Sequence, residues 1–267
     1  KNKKWLELAL PGSRNAGTWQ LNIEHRNVPC HEMHSMMNSC FKTDAIGWHR
    51  AQRLSVGDQL RKGVRYLTLQ VLVNRESSDR LWTGNGYYTC PLREVLKEVA
   101  DFLTKHTNEL IILDLNQFHE EGQCHNGKHS MSMGAHEELL LLLKQNLVQW
   151  LIPRNMGLGM TVKEVLETPY RTMVMYCHRE IAKSTDCVFS REDSVRDMSM
   201  TKSFTDVDQL FHSLQQEVTR HHPVEDRFWL LNCALTPTLR SMLKGLFGGS
   251  ENSLLQYAGH VKRVILH

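Results

Sequence analysis

Apolar residues along this chain fall into two alternating rhythms. Short runs of four to eight residues, rich in Leu, Val, Ile and aromatics, predict strands at Leu6 to Leu10, Val64 to Val71, Arg80 to Thr83, Leu110 to Leu115, Thr172 to Tyr176, Phe228 to Cys233 and Lys262 to Leu266. Between them lie segments with a spacing of three and four. Leu92, Val95, Leu96, Val99, Phe102 and Leu103 make one apolar stripe, which predicts a helix over Pro91 to Lys105 with Pro at its first position. Ala135 to Trp150, Asp206 to His221 and Pro237 to Leu246 read as further helices, the last stopped by Gly248 and Gly249. Strand and helix in alternation is the pattern of a parallel sheet wrapped by helices, and seven or eight such units predict a TIM-type (β/α)8 barrel. A doubly wound open sheet is the competing reading. It is disfavoured because no Gly-rich loop follows the first strand.

Length agrees with one barrel: 267 residues, 41% hydrophobic and 23% charged, with no linker or low-complexity tract to divide them, predict a single domain over residues 1–267. A net charge of +3, with basic residues dispersed except for Lys1, Lys3 and Lys4, makes nucleic acid a poor first guess. No run reaches the roughly 18 apolar residues of a membrane-spanning helix. The terminal run Val264–Ile265–Leu266 reads as a strand without a cap, so the barrel is expected to lack its final segment. Of seven cysteines, Cys30/Cys40 and Cys177/Cys187 are close enough in sequence for local disulfides in an oxidising compartment, reduced thiols in a cytoplasmic protein being the alternative. Cys233 reads as a core thiol.

In a barrel the chemistry collects at the C-terminal ends of the strands. Those ends carry Ser13, Arg14 and Asn15 after the first strand, Thr68 and Gln70 on the second, Asn85 and Gly86 after the third, and Asp114 and Asn116 on the fourth.

These stretches carry a resemblance. LALPGSRNAGTW, GVRYLTLQV, LWTGNGYYTCPLREVLKEVADFL and NELIILDLNQF, in this order, resemble the X domain of phosphatidylinositol-specific phospholipases C, most closely the X-domain-containing proteins of animals of the arthropod type. HEELLLLLKQNL, PYRTMVMY and FWLLNCALTP extend the likeness over nearly the whole chain. The resemblance implies the barrel of a PLC-like phosphodiesterase. It also implies a lost mechanism. Where active members carry the general-base His of the first motif, this chain has Arg14, a guanidinium that stays protonated and accepts no proton. Where they carry the general-acid His of the third, it has Asn85, whose carboxamide does not titrate. Thr68 and Gln70 replace the family's Asp and Arg, and with Asn116 they leave no carboxylate for the calcium of the calcium-dependent branch. Asn15 matches the His-Asn form of the first motif.

Two functions from different classes follow. One is a pseudo-phosphodiesterase that binds a phospholipid head group or a protein partner through Arg14, Asn15, Asn85 and Tyr87, with Tyr87 and Tyr88 as an apolar lip, and with no cofactor or metal. The other is a phosphoric diester hydrolase whose site is rebuilt from loop histidines, His25, His31 and His34 after the first strand and His119, His125 and His129 after the fourth, with Cys30 and Cys124 close enough to suggest zinc. The resemblance further implies a secreted protein with an N-terminal module ahead of the X domain.

Overall fold

The computed structural model describes residues 2–21, 46–125, 128–197, 204–220, 226–235, 253–256 and 258. The expected helix over Pro237 to Leu246, the strand over Lys262 to Leu266, the Cys30/Cys40 pair and His25, His31 and His34 lie outside them.

Among the described residues the centre is a seven-stranded mixed sheet. Its strands are β1 (Gly12–Ser13), β2 (Tyr66–Val73), β3 (Leu81–Gly84), β4 (Tyr88–Pro91), β5 (Ile111–His119), β8 (Thr172–Tyr176) and β9 (Phe189–Ser190). The order is β4-β3-β2-β5-β8-β9, with β1 attached to β2. β6 (Cys124–His125) and β7 (Lys128–His129) form a small hairpin, and β10 (Val195–Asp197) pairs in parallel with β11 (Phe228–Leu230).

Every residue of β2 and β8 is buried, as expected of strands covered on both faces. On one face Leu67, Leu69, Val71, Leu113, Leu115 and Val174 pack under α2 (Leu92–Lys105) and α3 (Met133–Leu147). On the other, Tyr66, Ile112, Met173, Met175 and Phe189 meet Trp5 and Phe228. Period-two alternation puts Thr68, Gln70 and Asp114 on this second face.

β8 and α2 match expectation closely, although Pro91 caps α2 and is not its first helical residue. Three expectations need correction. Leu6 to Leu10 is no strand: Trp5–Glu7 is a 3-10 turn whose buried Trp5 meets Phe228 edge-on at 6.0 Å, and β1 shrinks to Gly12–Ser13. The third strand runs antiparallel to β2, because the connection Asn74–Arg80 is far too short for a crossover helix. β4 then doubles back beside it, so this part of the sheet is a meander and no βα unit. Finally, Cys233 is exposed and not a core thiol.

One consequence positions everything that follows. β5 occupies one edge of β2 from Tyr66 to Leu72. The other edge is divided: β1 pairs in parallel with Tyr66 and Leu67, and β3 pairs antiparallel with Val71 to Val73. The two strands approach each other along one edge, and the turns that follow them meet at the level of Thr68 to Gln70.

Candidate active site

The first turn needs a backbone that few residues accept. Asn15 has φ 48°, the left-handed region that Asn tolerates. Two residues on, Gly17 lies so close to β3 that a Cβ would stand 2.4 Å from Thr83 Oγ1. Its carbonyl accepts hydrogen bonds from the Thr83 hydroxyl at 3.1 Å and the Thr89 hydroxyl at 2.6 Å. Gln59, on α1 (Val56–Arg61), accepts from Ser13 Oγ at 2.6 Å and donates to the Ala16 and Leu54 carbonyls.

The floor of the site is polar and uncharged. Asn15 N donates to Thr68 Oγ1 at 3.0 Å, and Gln70 Nε2 donates to Asn15 Oδ1 at 3.2 Å. Both Thr68 and Gln70 are buried. Asn116 stands beside Gln70 as the extra residue of a β-bulge, half-buried, with its Oδ1 shielded from solvent and without a hydrogen-bond partner. Thr68, Gln70 and Asn116 supply neutral oxygens only, a set that does not fit a hard divalent cation. Among the described residues no group of three His, Cys, Asp or Glu is placed to hold a metal.

Arg14 is exposed at the rim, its carbonyl accepting from Gln52 Nε2 at 2.8 Å. Asn85 is engaged elsewhere. Its Nδ2 donates to the His49 carbonyl at 3.0 Å, and its own carbonyl accepts from His49 Nδ1 at 2.7 Å. The His49 ring lies edge-on to Tyr87 at 4.9 Å. Tyr87 is fully buried with Leu21 and Ile46, and Tyr88 is 7% exposed with its hydroxyl on the Val73 carbonyl, so neither forms an apolar lip. The turn carrying Asn85 is thus folded inward over its tyrosine.

His49 is the residue that sequence reading passed over. It is buried, one histidine among fifteen, and nothing local marks it: its partner lies 36 residues away. Asp114 also departs from the active-face reading. It accepts from Tyr66 Oη at 2.9 Å and from Arg191 Nε at 2.7 Å, and Arg191 reaches on to Asp197 at 2.5 Å. Burial works against the Arg191 charge, yet the two carboxylates hold its pKa above the ordinary arginine value. Burial, with the carboxylate of Asp114 beside it, also pushes the Tyr66 phenol well above its usual range. This is a structural ion network.

The remaining candidates are scattered. His119 is buried at the end of β5. Cys124, His125 and His129 belong to the β6–β7 hairpin. Cys177 and Cys187 are not bonded to each other: Cys187 is buried, with Sγ 3.4 Å from Thr185 Oγ1, and Cys177 is exposed at the end of β8. No described helix is long and apolar enough to cross a membrane.

The chain is similar to known proteins in sequence and in fold. The PI-PLC X family profile matches residues 33–154. Human PI-PLC X domain-containing protein 3 is 25% identical over 258 residues, 94% of this chain and 75% of that protein. The variant-surface-glycoprotein phospholipase C of Trypanosoma brucei brucei is 28% identical over 175 residues, 65% of this chain and 45% of that one. Among solved structures, a phosphatidylinositol-specific phospholipase C from Staphylococcus aureus superposes with a TM-score of 0.61 at 15% identity, covering 97% of this chain and 80% of that one. The Listeria monocytogenes enzyme gives 0.57 at 14% identity, covering 98% and 94%. These bacterial neighbours are TIM-barrel phosphodiesterases, whereas among the described residues here the sheet runs open from β4 to β9. The chain is a homologue of the PI-PLC X domain-containing proteins, built on the fold of the bacterial phosphatidylinositol-specific phospholipases C.

Proposed function

We propose that this chain is a catalytically impaired PI-PLC X-like domain, a pseudo-phosphodiesterase that binds an anionic phosphate group at Arg14. The observation that carries this reading is the floor: Asn15, Thr68 and Gln70 are neutral and satisfy one another, and the Asn85 side chain is spent on His49. None of the four takes up or gives a proton near neutral pH. General acid and base groups contribute ~10²–10⁴ each, so losing both removes most of the rate. Arg14 is a permanent cation whose planar fork suits phosphate. Asn15, beside it, offers polar support.

Cleavage of phosphatidylinositol and of glycerophosphoinositol by the purified chain, with and without calcium and zinc, tests the reading. The expected result is no turnover at a sensitivity about 10⁶-fold below an active relative. Metal-dependent turnover that survives Arg14→Ala would overturn it.

One observation favours an active phosphoric diester hydrolase instead. Because His49 Nδ1 faces a carbonyl, the neutral ring carries its proton there and leaves Nε2 as the nitrogen able to accept one, the tautomer a general base needs. Turnover that disappears in His49→Gln would establish that reading.

A further inference from the structure

Asn85 is followed by Gly86, and the pair lies in the tight turn between β3 and β4. In an Asn-Gly pair the carboxamide is open to attack by the next main-chain nitrogen, because glycine has no Cβ to shield that nitrogen. The turn holds this pair ready but apart. Gly86 has φ 75°, a backbone that glycine adopts without strain, and among the described residues none accepts from its N–H. No bond has to break before that nitrogen loses its proton. Asn85 is half-buried, within reach of water. Against the attack stand the two bonds to His49: its carbonyl holds Asn85 Nδ2 at 3.0 Å, and its Nδ1 holds the Asn85 carbonyl at 2.7 Å. A third contact, Asn85 N to the Tyr87 carbonyl at 3.3 Å, closes the turn across Gly86. While these bonds last, Cγ is kept from swinging onto the Gly86 nitrogen.

We propose that Asn85–Gly86 is a self-modifying site, at which opening of the His49 clamp converts the Asn85 carboxamide to a carboxylate. In the open turn the Gly86 nitrogen, having given its proton to hydroxide, attacks Asn85 Cγ. The new N–Cγ bond closes a five-membered imide, the Cγ–Nδ2 bond breaks, and Nδ2 leaves as ammonia with a proton taken from water. Water then opens the imide: rupture at Cγ gives aspartate, and rupture at the main-chain carbonyl carbon gives isoaspartate. The net change is carboxamide and water to carboxylate and ammonium, with nothing oxidised or reduced. Nδ2 was the donor to the His49 carbonyl, and the carboxylate that replaces it sets an acceptor against an acceptor. The clamp does not close again, and the turn after β3 gains a negative charge. This chemistry is independent of what Arg14 binds. Imide closure is slow beside the opening of a turn, so the observed rate is the open fraction multiplied by the rate in an unfolded chain. The two clamp bonds correspond to roughly ten- to a hundredfold protection.

Peptide mapping of the full chain by mass spectrometry, during incubation at mildly alkaline pH both native and in guanidinium chloride, tests it. Asn85 is expected to convert in the native chain, to aspartate and isoaspartate together, roughly ten- to a hundredfold more slowly than in the unfolded one. His49→Phe removes the ring donor and keeps an aromatic edge against Tyr87, and it should speed native conversion about tenfold while the circular dichroism spectrum stays native. Equal rates in the native and unfolded chains show that the clamp does not govern the site and overturn the proposal. A native rate more than about a thousandfold below the unfolded one also overturns it, because the site is then closed in the folded protein. An unchanged rate in a folded His49→Phe does the same. If that variant does not fold, the natural chain decides: converted and unconverted molecules are separated by ion exchange and unfolded in urea. The converted form is expected to unfold at the lower midpoint, and equal midpoints overturn the one-way opening.

Discussion

Asn85 and His49 hold each other through two hydrogen bonds, the Asn85 amide to the His49 carbonyl and the His49 ring to the Asn85 carbonyl, at 3.0 and 2.7 Å. Asn85 therefore works as a clamp between two turns. Truncating it leaves a shielded carbonyl without a donor, which costs roughly 1–3 kcal/mol. Asn85→Ala is expected to lower unfolding stability by that amount in a urea titration, and Asn85→Asp, which keeps the shape and loses the donor, by a similar amount. No change in either would mean that the clamp is a passive contact.

Gly17 makes a second prediction at the same seam. Its missing Cβ would fall 2.4 Å from Thr83 Oγ1 and 2.5 Å from Thr83 Cβ, both fixed by strand pairing. Gly17→Ala should destabilise by about 2–4 kcal/mol through overpacking. Gly63→Ala is the comparison: at φ 96° with nothing within 4 Å, it carries backbone strain without a clash and should cost about 1 kcal/mol.

The Asp114–Arg191 pair is buried, with the carboxylate side chain 0% and the guanidinium side chain 10% exposed. Removing one member leaves a charge uncompensated, so Arg191→Leu should cost about 3–5 kcal/mol. Asp114→Leu/Arg191→Met, which removes both charges, should cost less than the sum of the single variants in a denaturant-based double-mutant cycle. Additive losses would show that the two groups act independently.

His136 gives a pH dependence. Burial, with His178 close by, pushes its pKa down to about 4, against the weaker opposing pull of Glu120, and its Nδ1 lies 2.7 Å from the Tyr176 hydroxyl. The unfolded chain, titrating near 6.5, binds the proton first, so stability rises with pH between about 4 and 6.5 and is complete above that. The shift corresponds to about 3–4 kcal/mol at most. Unfolding free energies at pH 4.5 and 7.5 should differ less in His136→Gln than in the natural chain, and an unchanged difference would remove His136 as the source.

Local chemistry made much of this molecule readable. The run Thr172–Tyr176 is β-branched and apolar with Arg171 and Cys177 at its ends, and it forms β8 without a residue's error. The stripe from Leu92 to Leu103 forms the buried face of α2. What was not readable depends on distant partners. Tyr87 sits after Gly86 in a turn that looks exposed, and only the packing of Leu21 and Ile46 reveals it as core. Asp114 finds its arginine 77 residues away, on a four-residue helix no periodicity can announce. Arg14 lies just beyond β1, and Thr68, Gln70 and Asn116 lie within β2 and β5, two strands that their apolar runs made legible. That they share no titratable group was legible too, but the commitment of Asn85 to His49 was not.

The divided edge of β2 also bears on how a ligand is received. The turns after β1 and β3 are stitched to each other through Gly17, Thr83 and Thr89, and each is pinned to the same strand. Moving either turn means opening the hydrogen bonds of the other. Under the proposed function, a phosphate bound beside these turns meets a wall that is already ordered, so little of its binding energy goes into forming that wall.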